Sequence, residues 1–215
     1  MADKNTLECF LSMIDEAERI AVSDRLADRI PVKSYTIEDK KEKTAFDYRE
    51  ASSCFACPCF RNRRVFASPE LREGSKVLFI APSPEGDTVF TPESYSMFSR
   101  WRKALGLGSR DTSLSTLVKC PSASFSQEHA SACKGYLREE MKASSPCLLV
   151  LLGRDTASYM LRQDGEIDSM RLKLFRINGI PSIVTYTPAE CAASDAVRAK
   201  VGKDLFFIKK TLESL

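Results

Sequence analysis

The stretch Cys147–Gly153 reads Cys-Leu-Leu-Val-Leu-Leu-Gly and decides the fold class. A continuous apolar run that ends at a glycine predicts a fully buried strand, and the residues after Gly153 predict a helix through Leu161. Strands that are buried on both faces are typical of parallel sheets, whereas strands with one solvated face alternate apolar and polar residues. The stretch therefore predicts an α/β domain, and Cys147 is expected to be a buried thiol beside the strand.

The rest of the chain repeats this alternation of strands and helices. Further strands are predicted at 77–80, 114–120, 172–177 and 182–186, the last two joined by an Asn178-Gly179 turn. Further helices are predicted at 92–105, 124–142 and 195–212, and Ser124 and Gln127 form a capping box for the second of these.

Strands and helices that alternate in this way predict a parallel sheet covered by helices on both faces. Ligands bind such sheets at the carboxyl ends of the strands. The site is therefore expected in the loops 81–90, 119–124, 153–156 and 185–191.

The N-terminal region is expected to differ from the main domain. From Thr6 to about Ile30 the apolar residues recur at helical spacing, which predicts an amphipathic helix docked on the main domain. Residues 31–50 then become polar, with a charged run at 38–43, as is typical of a solvated linker. We predict an N-terminal helix and charged linker over 1–45 and the main domain over 46–215.

Composition excludes several classes of protein. The 215 residues are 43% hydrophobic and 28% charged, as in ordinary globular proteins, and no segment resembles a signal peptide or a spanning helix of ~20 apolar residues. A net charge of +3 does not by itself indicate a nucleic-acid partner. Eight cysteines are too few for a disulfide scaffold of this size, so we expect a cytoplasmic protein with reduced thiols.

Four of the cysteines suggest a metal site. Cys54 and Cys57 form a Cys-x-x-Cys pair that places two thiolates on one side of a turn, while Cys120 and Cys133 come singly from distant sequence. Structural zinc sites more often use two close pairs, whereas iron–sulfur clusters accept uneven spacing, so the pattern favours [4Fe–4S] over zinc. The alternative is that some of these residues are buried thiols.

A family resemblance rests on the order of several motifs: Cys54-x-x-Cys57-Pro58, Phe90, Val118-Lys119-Cys120-Pro121, Cys133 on a helix, Leu151-Leu152-Gly153, and Thr185-Tyr186-x-Pro188-Ala189. This order resembles the iron–sulfur uracil-DNA glycosylases (family 4 and relatives) over about 53–212. The resemblance implies a three-layer α/β/α sandwich with a central, mainly parallel four-stranded sheet, and it leaves the N-terminal helical extension outside. It also implies a structural [4Fe–4S] cluster held by Cys54, Cys57, Cys120 and Cys133, although Cys59 is an alternative to Cys57.

The resemblance assigns roles to the pocket residues, and here the sequence departs from the family. Phe90 is expected to stack on the flipped base, with Ser83 and Thr116 also contacting it. Glu85 and Asp87 are the candidate acidic catalytic residues. The family has an asparagine where this chain has Thr116, and a histidine where it has Thr187, the third candidate catalytic residue.

These departures bear on the chemistry of N-glycosidic bond cleavage. The base must leave the stack, the charge developing on it must meet fixed donors, and an acidic residue must stabilise the sugar cation or position water. Losing one good donor costs ~10²–10³ in rate, and a threonine hydroxyl is a poor substitute for an amide or an imidazole. We therefore expect a divergent member with altered or weak activity on uracil.

Three functions follow as hypotheses. The first is a monomeric DNA-repair hydrolase that binds DNA, as a duplex with a damaged base or as a single strand, through the phosphate-binding residues Arg61, Arg63, Arg64 and Lys119. The second is a catalytically inactive DNA- or protein-binding member of the same fold with a structural cluster. The third, an electron-transfer or redox-sensing protein, has less support because no second cofactor or partner surface is indicated.

Overall fold

The computed structural model describes residues 33–35, 54–62, 67–121 and 125–215. The predicted N-terminal helix and the expected domain boundary near Phe46 lie outside these residues. The described elements are, in chain order, β1 (Lys33–Tyr35), a 3-10 helix (Pro58–Asn62), β2 (Val77–Ala81), α1 (Pro92–Ala104), β3 (Thr112–Thr116), α2 (Gln127–Ser144), β4 (Leu148–Leu152), α3 (Gly153–Leu161), α4 (Ile167–Met170), β5 (Phe175–Ile177), β6 (Ile180–Thr185), α5 (Pro188–Ala193) and α6 (Asp195–Ser214). None of the described helices is both long enough and apolar enough to cross a membrane.

The described strands form one six-stranded sheet in the order β1-β5-β6-β4-β2-β3. Every neighbouring pair is parallel except β5 and β6, which form an antiparallel hairpin. The predicted mainly parallel α/β fold is confirmed, but the expected count of four strands is too low. Besides β2, β3, β4 and β6, the sheet contains the short strand β5, whose hairpin with β6 the sequence predicted, and the edge strand β1. The residues of β1 had been assigned to the polar linker. Three residues are too few to show a hydrophobic period.

β4 lies in the middle of the sheet, hydrogen-bonded to β2 on one side and to β6 on the other. Its five residues are fully buried, as the uninterrupted apolar run predicted. The register places Ala81 opposite Thr116, Ile80 opposite Leu151, and Leu152 opposite Thr185. The carboxyl ends of β2, β3, β4 and β6 therefore share one edge of the sheet.

Three local predictions differ from the structure. β3 ends at Thr116 rather than at Cys120, because the chain turns out of the sheet after that residue. α2 begins at Gln127, and its N-cap is Ser126 rather than Ser124: the Ser126 hydroxyl accepts a hydrogen bond from the Glu128 N–H at 3.2 Å. Cys147 is exposed, so its prediction as a buried thiol is wrong, because β4 starts one residue later.

The hairpin turn at Asn178-Gly179 is confirmed. Both residues have positive φ, 49° and 82°, and the two central positions of a type I′ turn require such values. This turn matches the right-handed twist of the flanking strands, and it therefore makes the β5–β6 connection antiparallel in an otherwise parallel sheet.

A buried polar network around Asp204 joins α6 to Arg171, just after α4, and to the carboxyl end of β6. The Asp204 carboxylate accepts hydrogen bonds from Arg171 Nε at 2.8 Å, from Arg171 Nη2 at 2.9 Å and from the Thr185 hydroxyl at 2.6 Å. Burial raises the pKa of Asp204, and the bonds from Arg171 and Thr185 oppose that rise. Arg171 also pairs with Asp168, whose carboxylate accepts a bond from the Tyr186 hydroxyl at 2.9 Å. The network thus fixes the start of the loop that follows β6.

We expect Asp204→Ala to lower the free energy of unfolding by about 3–5 kcal/mol, because the buried Arg171 guanidinium loses its buried carboxylate and keeps only the more exposed Asp168. Urea denaturation followed by circular dichroism measures this change. Glu213→Ala is the matched control, since it breaks an exposed pair with Lys210 and should cost less than about 1 kcal/mol. Equal losses in the two variants would contradict a structural role for the buried pair.

Candidate functional site

Four connections meet at the carboxyl edge of the sheet. The first loop, 82–91, follows β2, the second loop, 117–121, follows β3, α3 begins directly after β4, and residues 186–187 connect β6 to α5. The first two are hydrogen-bonded to each other: the Leu117 N–H donates to the Ala81 carbonyl at 2.9 Å and the Val118 N–H to the Pro82 carbonyl at 3.0 Å. The parallel topology thus brings together the four loops in which the sequence predicted a site.

Both acidic residues of the first loop are exposed, but they are held differently. One oxygen of the Glu85 carboxylate accepts a hydrogen bond from the Thr91 N–H at 2.9 Å, and Thr91 caps the N-terminus of α1. The Glu85 backbone N–H donates to the Val89 carbonyl at 3.2 Å. In the described part of the chain the Asp87 carboxylate has no such bond. Glu85 therefore holds the loop, while Asp87 presents a carboxylate to solvent.

The three residues expected to contact a base lie at different depths. Phe90 is 4% exposed, and its ring packs edge to face against Phe98 with the ring centres 5.4 Å apart. Thr116 is 1% exposed at the end of β3, and Ser83 is half-buried in the first loop. Stacking of a base on Phe90 requires that this ring become accessible, so its predicted role stays a prediction.

Thr187 caps α5 through a reciprocal contact with Glu190. Its hydroxyl accepts a hydrogen bond from the Glu190 N–H at 3.2 Å and donates to the Glu190 carboxylate at 2.8 Å. The same carboxylate accepts the Thr187 N–H at 2.7 Å. The hydroxyl proton expected to meet substrate is therefore bonded to Glu190. Sequence reasoning missed Glu190, although Thr187-x-x-Glu190 is a capping-box pattern.

Gly153, the first residue of α3, lies against Thr187. It has a φ of +82°, and a Cβ at this position would lie 2.9 Å from the Thr187 Cγ2 atom. Glycine is thus required twice, by the left-handed backbone and by the close approach of the neighbouring loop. The contact fixes the separation between the start of α3 and the connection that follows β6.

Lys119 is buried rather than available to a phosphate. Its side chain is 1% exposed, and Nζ donates to the Glu140 carboxylate at 2.7 Å, to the Ser115 hydroxyl at 2.9 Å and to the Thr116 carbonyl at 2.5 Å. The prediction of Lys119 as a DNA contact is therefore wrong. Its partner Glu140 is fully buried on α2. The sequence analysis missed Glu140. Its position on the apolar stripe of that helix, between Leu137 and Met141, was the pattern that could have predicted its burial.

Three of the four predicted ligand cysteines share one neighbourhood. Burial raises the pKa of the Cys133 thiol to about 11, the bond from the Lys119 backbone N–H opposes this, and the nearby Cys57 and Cys120 raise it further. Cys54 and Cys57 pack, half-buried, against the hydrophobic core, and Cys59 is buried. Across the described ranges, no three His, Cys, Asp or Glu side chains are arranged to hold a metal ion. The thiols have the chemistry of iron–sulfur ligands and are neighbours, but the described cysteines are not arranged as a ligand set.

Only one of the three arginines predicted to contact DNA lies in the part of the chain that the structure describes. Arg61 is exposed at the end of the 3-10 helix, and its guanidinium carbon lies 5.8 Å from the centre of the Phe60 ring. Arg63 and Arg64 lie outside the described residues. The role of Arg61 as a DNA contact stays a prediction.

We expect Gly153→Ala to destabilise the protein more than Gly179→Ala, although both glycines have a φ of +82°. An alanine costs about 1–2 kcal/mol in the left-handed region, and only at residue 153 does its Cβ also meet another side chain. Thr187→Ser removes that methyl group and keeps the hydroxyl, so it should recover the part of the loss that comes from the close contact, and only in the Gly153→Ala background. The backbone part of the loss should remain. Unfolding free energies of the single and double variants measure the coupling, and identical costs at the two glycines would contradict the close contact.

Comparison with known proteins agrees with this arrangement. Residues 68–209, roughly two thirds of the chain, match the sequence model of the uracil DNA glycosylase superfamily. The chain is also 24% identical over 182 residues to the type-4 uracil-DNA glycosylase of Saccharolobus solfataricus, an alignment that covers 77% of this chain and 84% of that protein. The superfamily match contains all four loops at the carboxyl edge. The chain therefore belongs to the uracil DNA glycosylase superfamily.

Proposed function

We propose that the protein is a divergent DNA glycosylase that binds DNA and hydrolyses the N-glycosidic bond of a damaged base, with altered or weak activity on uracil. One observation carries the proposal: an exposed carboxylate, Asp87, stands in a loop that is anchored on both sides at the carboxyl edge of the sheet. Superfamily membership supports DNA as the substrate. The monomeric state and the cytoplasmic location stay predictions.

The two acids of the first loop take different roles in this proposal. A residue that stabilises the sugar cation or positions water must be able to approach the reacting atoms. Asp87 is exposed and has no hydrogen-bond partner among the described residues, whereas the Glu85 carboxylate is bonded to the Thr91 N–H. Asp87 is therefore the better candidate for the reacting carboxylate, and Glu85 for the residue that holds the loop.

The donors that would meet the leaving base are few. The Thr187 hydroxyl donates to Glu190, and the Thr116 side chain is 1% exposed. Backbone amides of the first and last loops are the remaining candidates for stabilising charge on the base. Because one good donor is worth ~10²–10³ in rate, this arrangement supports weak or altered activity on uracil.

We further propose that Cys54, Cys57, Cys120 and Cys133 hold a [4Fe–4S] cluster, with Cys59 as the alternative to Cys57. The resemblance to the iron–sulfur members of the family supports this, as does the proximity of Cys57 and Cys120 to Cys133. When bound, such a cluster would serve structurally, as a cross-link between distant parts of the chain. The protein residues it would join are the turn 54–62, the second loop and α2.

A non-catalytic member of the same fold that binds DNA or a protein is the second candidate. The commitment of the Thr187 hydroxyl to Glu190 favours it, because this removes the donor that stands where the family has a histidine. A base-release assay separates the two candidates.

We expect slow release of at least one damaged base from duplexes or single strands that carry uracil, hypoxanthine or another lesion, detected by cleavage of the resulting abasic site. Asp87→Asn should lower that rate by ~10² or more, because it removes the exposed carboxylate. Glu85→Gln should lower it far less, since the amide oxygen still accepts the Thr91 N–H. Glu93→Gln, at an exposed position in the first turn of α1, is the matched control.

Equal rates for Asp87→Asn and Glu93→Gln would remove Asp87 from the mechanism. Release of no base at all, with salt-sensitive DNA binding retained, would select the non-catalytic candidate.

For the cluster, we expect anaerobically prepared protein to be brown with broad visible absorption, and Cys120→Ser to lose both the colour and several degrees of melting temperature. Cys147→Ser is the control, because Cys147 is exposed and is not among the proposed ligands. A colourless, zinc-loaded wild type, or unchanged melting of Cys120→Ser, would contradict the assignment.

A further inference from the structure

The turn that carries the Cys-x-x-Cys pair exposes an aromatic side chain. Phe55 is 71% exposed, more than any other large hydrophobic side chain in the described part of the chain. It is not isolated: its ring meets that of Phe60 edge to face, with centres 5.1 Å apart and an angle of 78°. The Phe60 N–H donates to the Cys57 carbonyl at 3.3 Å, so the turn itself positions the pair. Phe55 is thus an exposed ring with a supporting aromatic neighbour.

A positive charge accompanies the two rings. The exposed Arg61 guanidinium lies 5.8 Å from the centre of the Phe60 ring. Between residues 51 and 68 the sequence contains three arginines, at positions 61, 63 and 64, and no acidic residue. Such a segment attracts a polyanion and offers no acidic partner to a basic protein surface. We call Phe55, Phe60 and Arg61 the aromatic cluster.

The aromatic cluster lies beside the candidate site. Cys57, two residues from Phe55, packs against the core region that contains Cys120 and Cys133. The Cys133 thiol accepts a hydrogen bond from the Lys119 backbone N–H. Lys119 belongs to the second loop at the carboxyl edge, which is hydrogen-bonded to the first loop with its two acids. The turn 54–62 is therefore a neighbour of the loops at the carboxyl edge.

We propose that the aromatic cluster binds single-stranded DNA next to the site, with the Phe55 ring stacked on an unpaired base and Arg61 against a phosphate. The inference rests on the proposed function for its choice of DNA as the partner. Aromatic rings in a basic groove bind single strands without sequence preference, because every base has a π-face. A base extruded for reaction leaves its neighbours unstacked, and an aromatic ring beside the site would replace part of the lost stacking.

The test uses unmodified DNA, so it does not depend on base release. The probes are a fluorescein-labelled thymidine oligonucleotide, read by anisotropy, and a single strand containing 2-aminopurine, whose fluorescence is quenched by stacking. Phe55→Ala should weaken binding about 5- to 150-fold and reduce the quenching. Phe55→Tyr should retain both, whereas Phe55→Leu should behave like the alanine variant, because it keeps an apolar side chain but no π-face.

Two controls separate stacking and charge from general effects. Leu215→Ala removes another exposed apolar side chain, at 61% exposure, and should leave binding within about twofold of wild type. Arg61→Ala should reduce the slope of log K against log salt by about 0.7, the value for one phosphate contact on a single strand. Arg110→Ala should not, because Arg110 precedes β3 at the opposite edge of the sheet.

The inference would be overturned if Phe55→Ala bound the oligonucleotide as tightly as Leu215→Ala does. It would also be overturned if Phe55→Leu kept the full affinity and quenching, or if the wild type bound neither probe. Base release by wild type and by Phe55→Ala, measured on a lesion-bearing strand, reports on the proposed function separately. A protein that binds through Phe55 without releasing any base supports the aromatic cluster and overturns the catalytic proposal alone.

Discussion

Hydrogen bonding of β4 to β2 on one side and to β6 on the other determines where the candidate site of this protein lies. All three strands run in the same direction, so the loops after them emerge at one edge together with the loop after β3. The strands pair through residues that are wholly buried, and slipping one strand by a residue would turn every side chain to the other face. The relative positions of the four loops follow from that register.

Several polar residues near this edge make hydrogen bonds that stabilise the loops. Lys119 pairs with Glu140 below the second loop, Glu85 holds the start of α1, and Thr187 caps α5 with Glu190. Breaking a buried ion pair by removing one partner is strongly destabilising, so residues such as Lys119 and Glu140 tie α2 to the loop in a single arrangement. Among the described residues, the side chains of this region that are exposed to solvent and to a ligand include Asp87 in the first loop and Phe55 and Arg61 in the turn 54–62.

Prediction from sequence succeeded where the determining physics is local. The β4 run, the glycine that starts α3 and the Asn178-Gly179 turn are set by residues next to one another, and each is found as expected. It failed where a contact comes from distant sequence. Lys119 resembles any basic loop residue until Glu140, 21 positions later, is known to lie against it. The short strand β1 forms only because β5 offers it a partner.

The amino-acid sequence by itself determined the alternation of strands and helices, the mainly parallel sheet and the edge at which a site must lie, because apolar periodicity and turn residues act over a few positions. It also identified the superfamily through the order of its motifs. Only the tertiary structure decided which polar side chains are occupied by partners and which are accessible. That distinction depends on burial and on hydrogen bonds between residues far apart in the chain, such as the pair Arg171 and Asp204, and no local pattern encodes it.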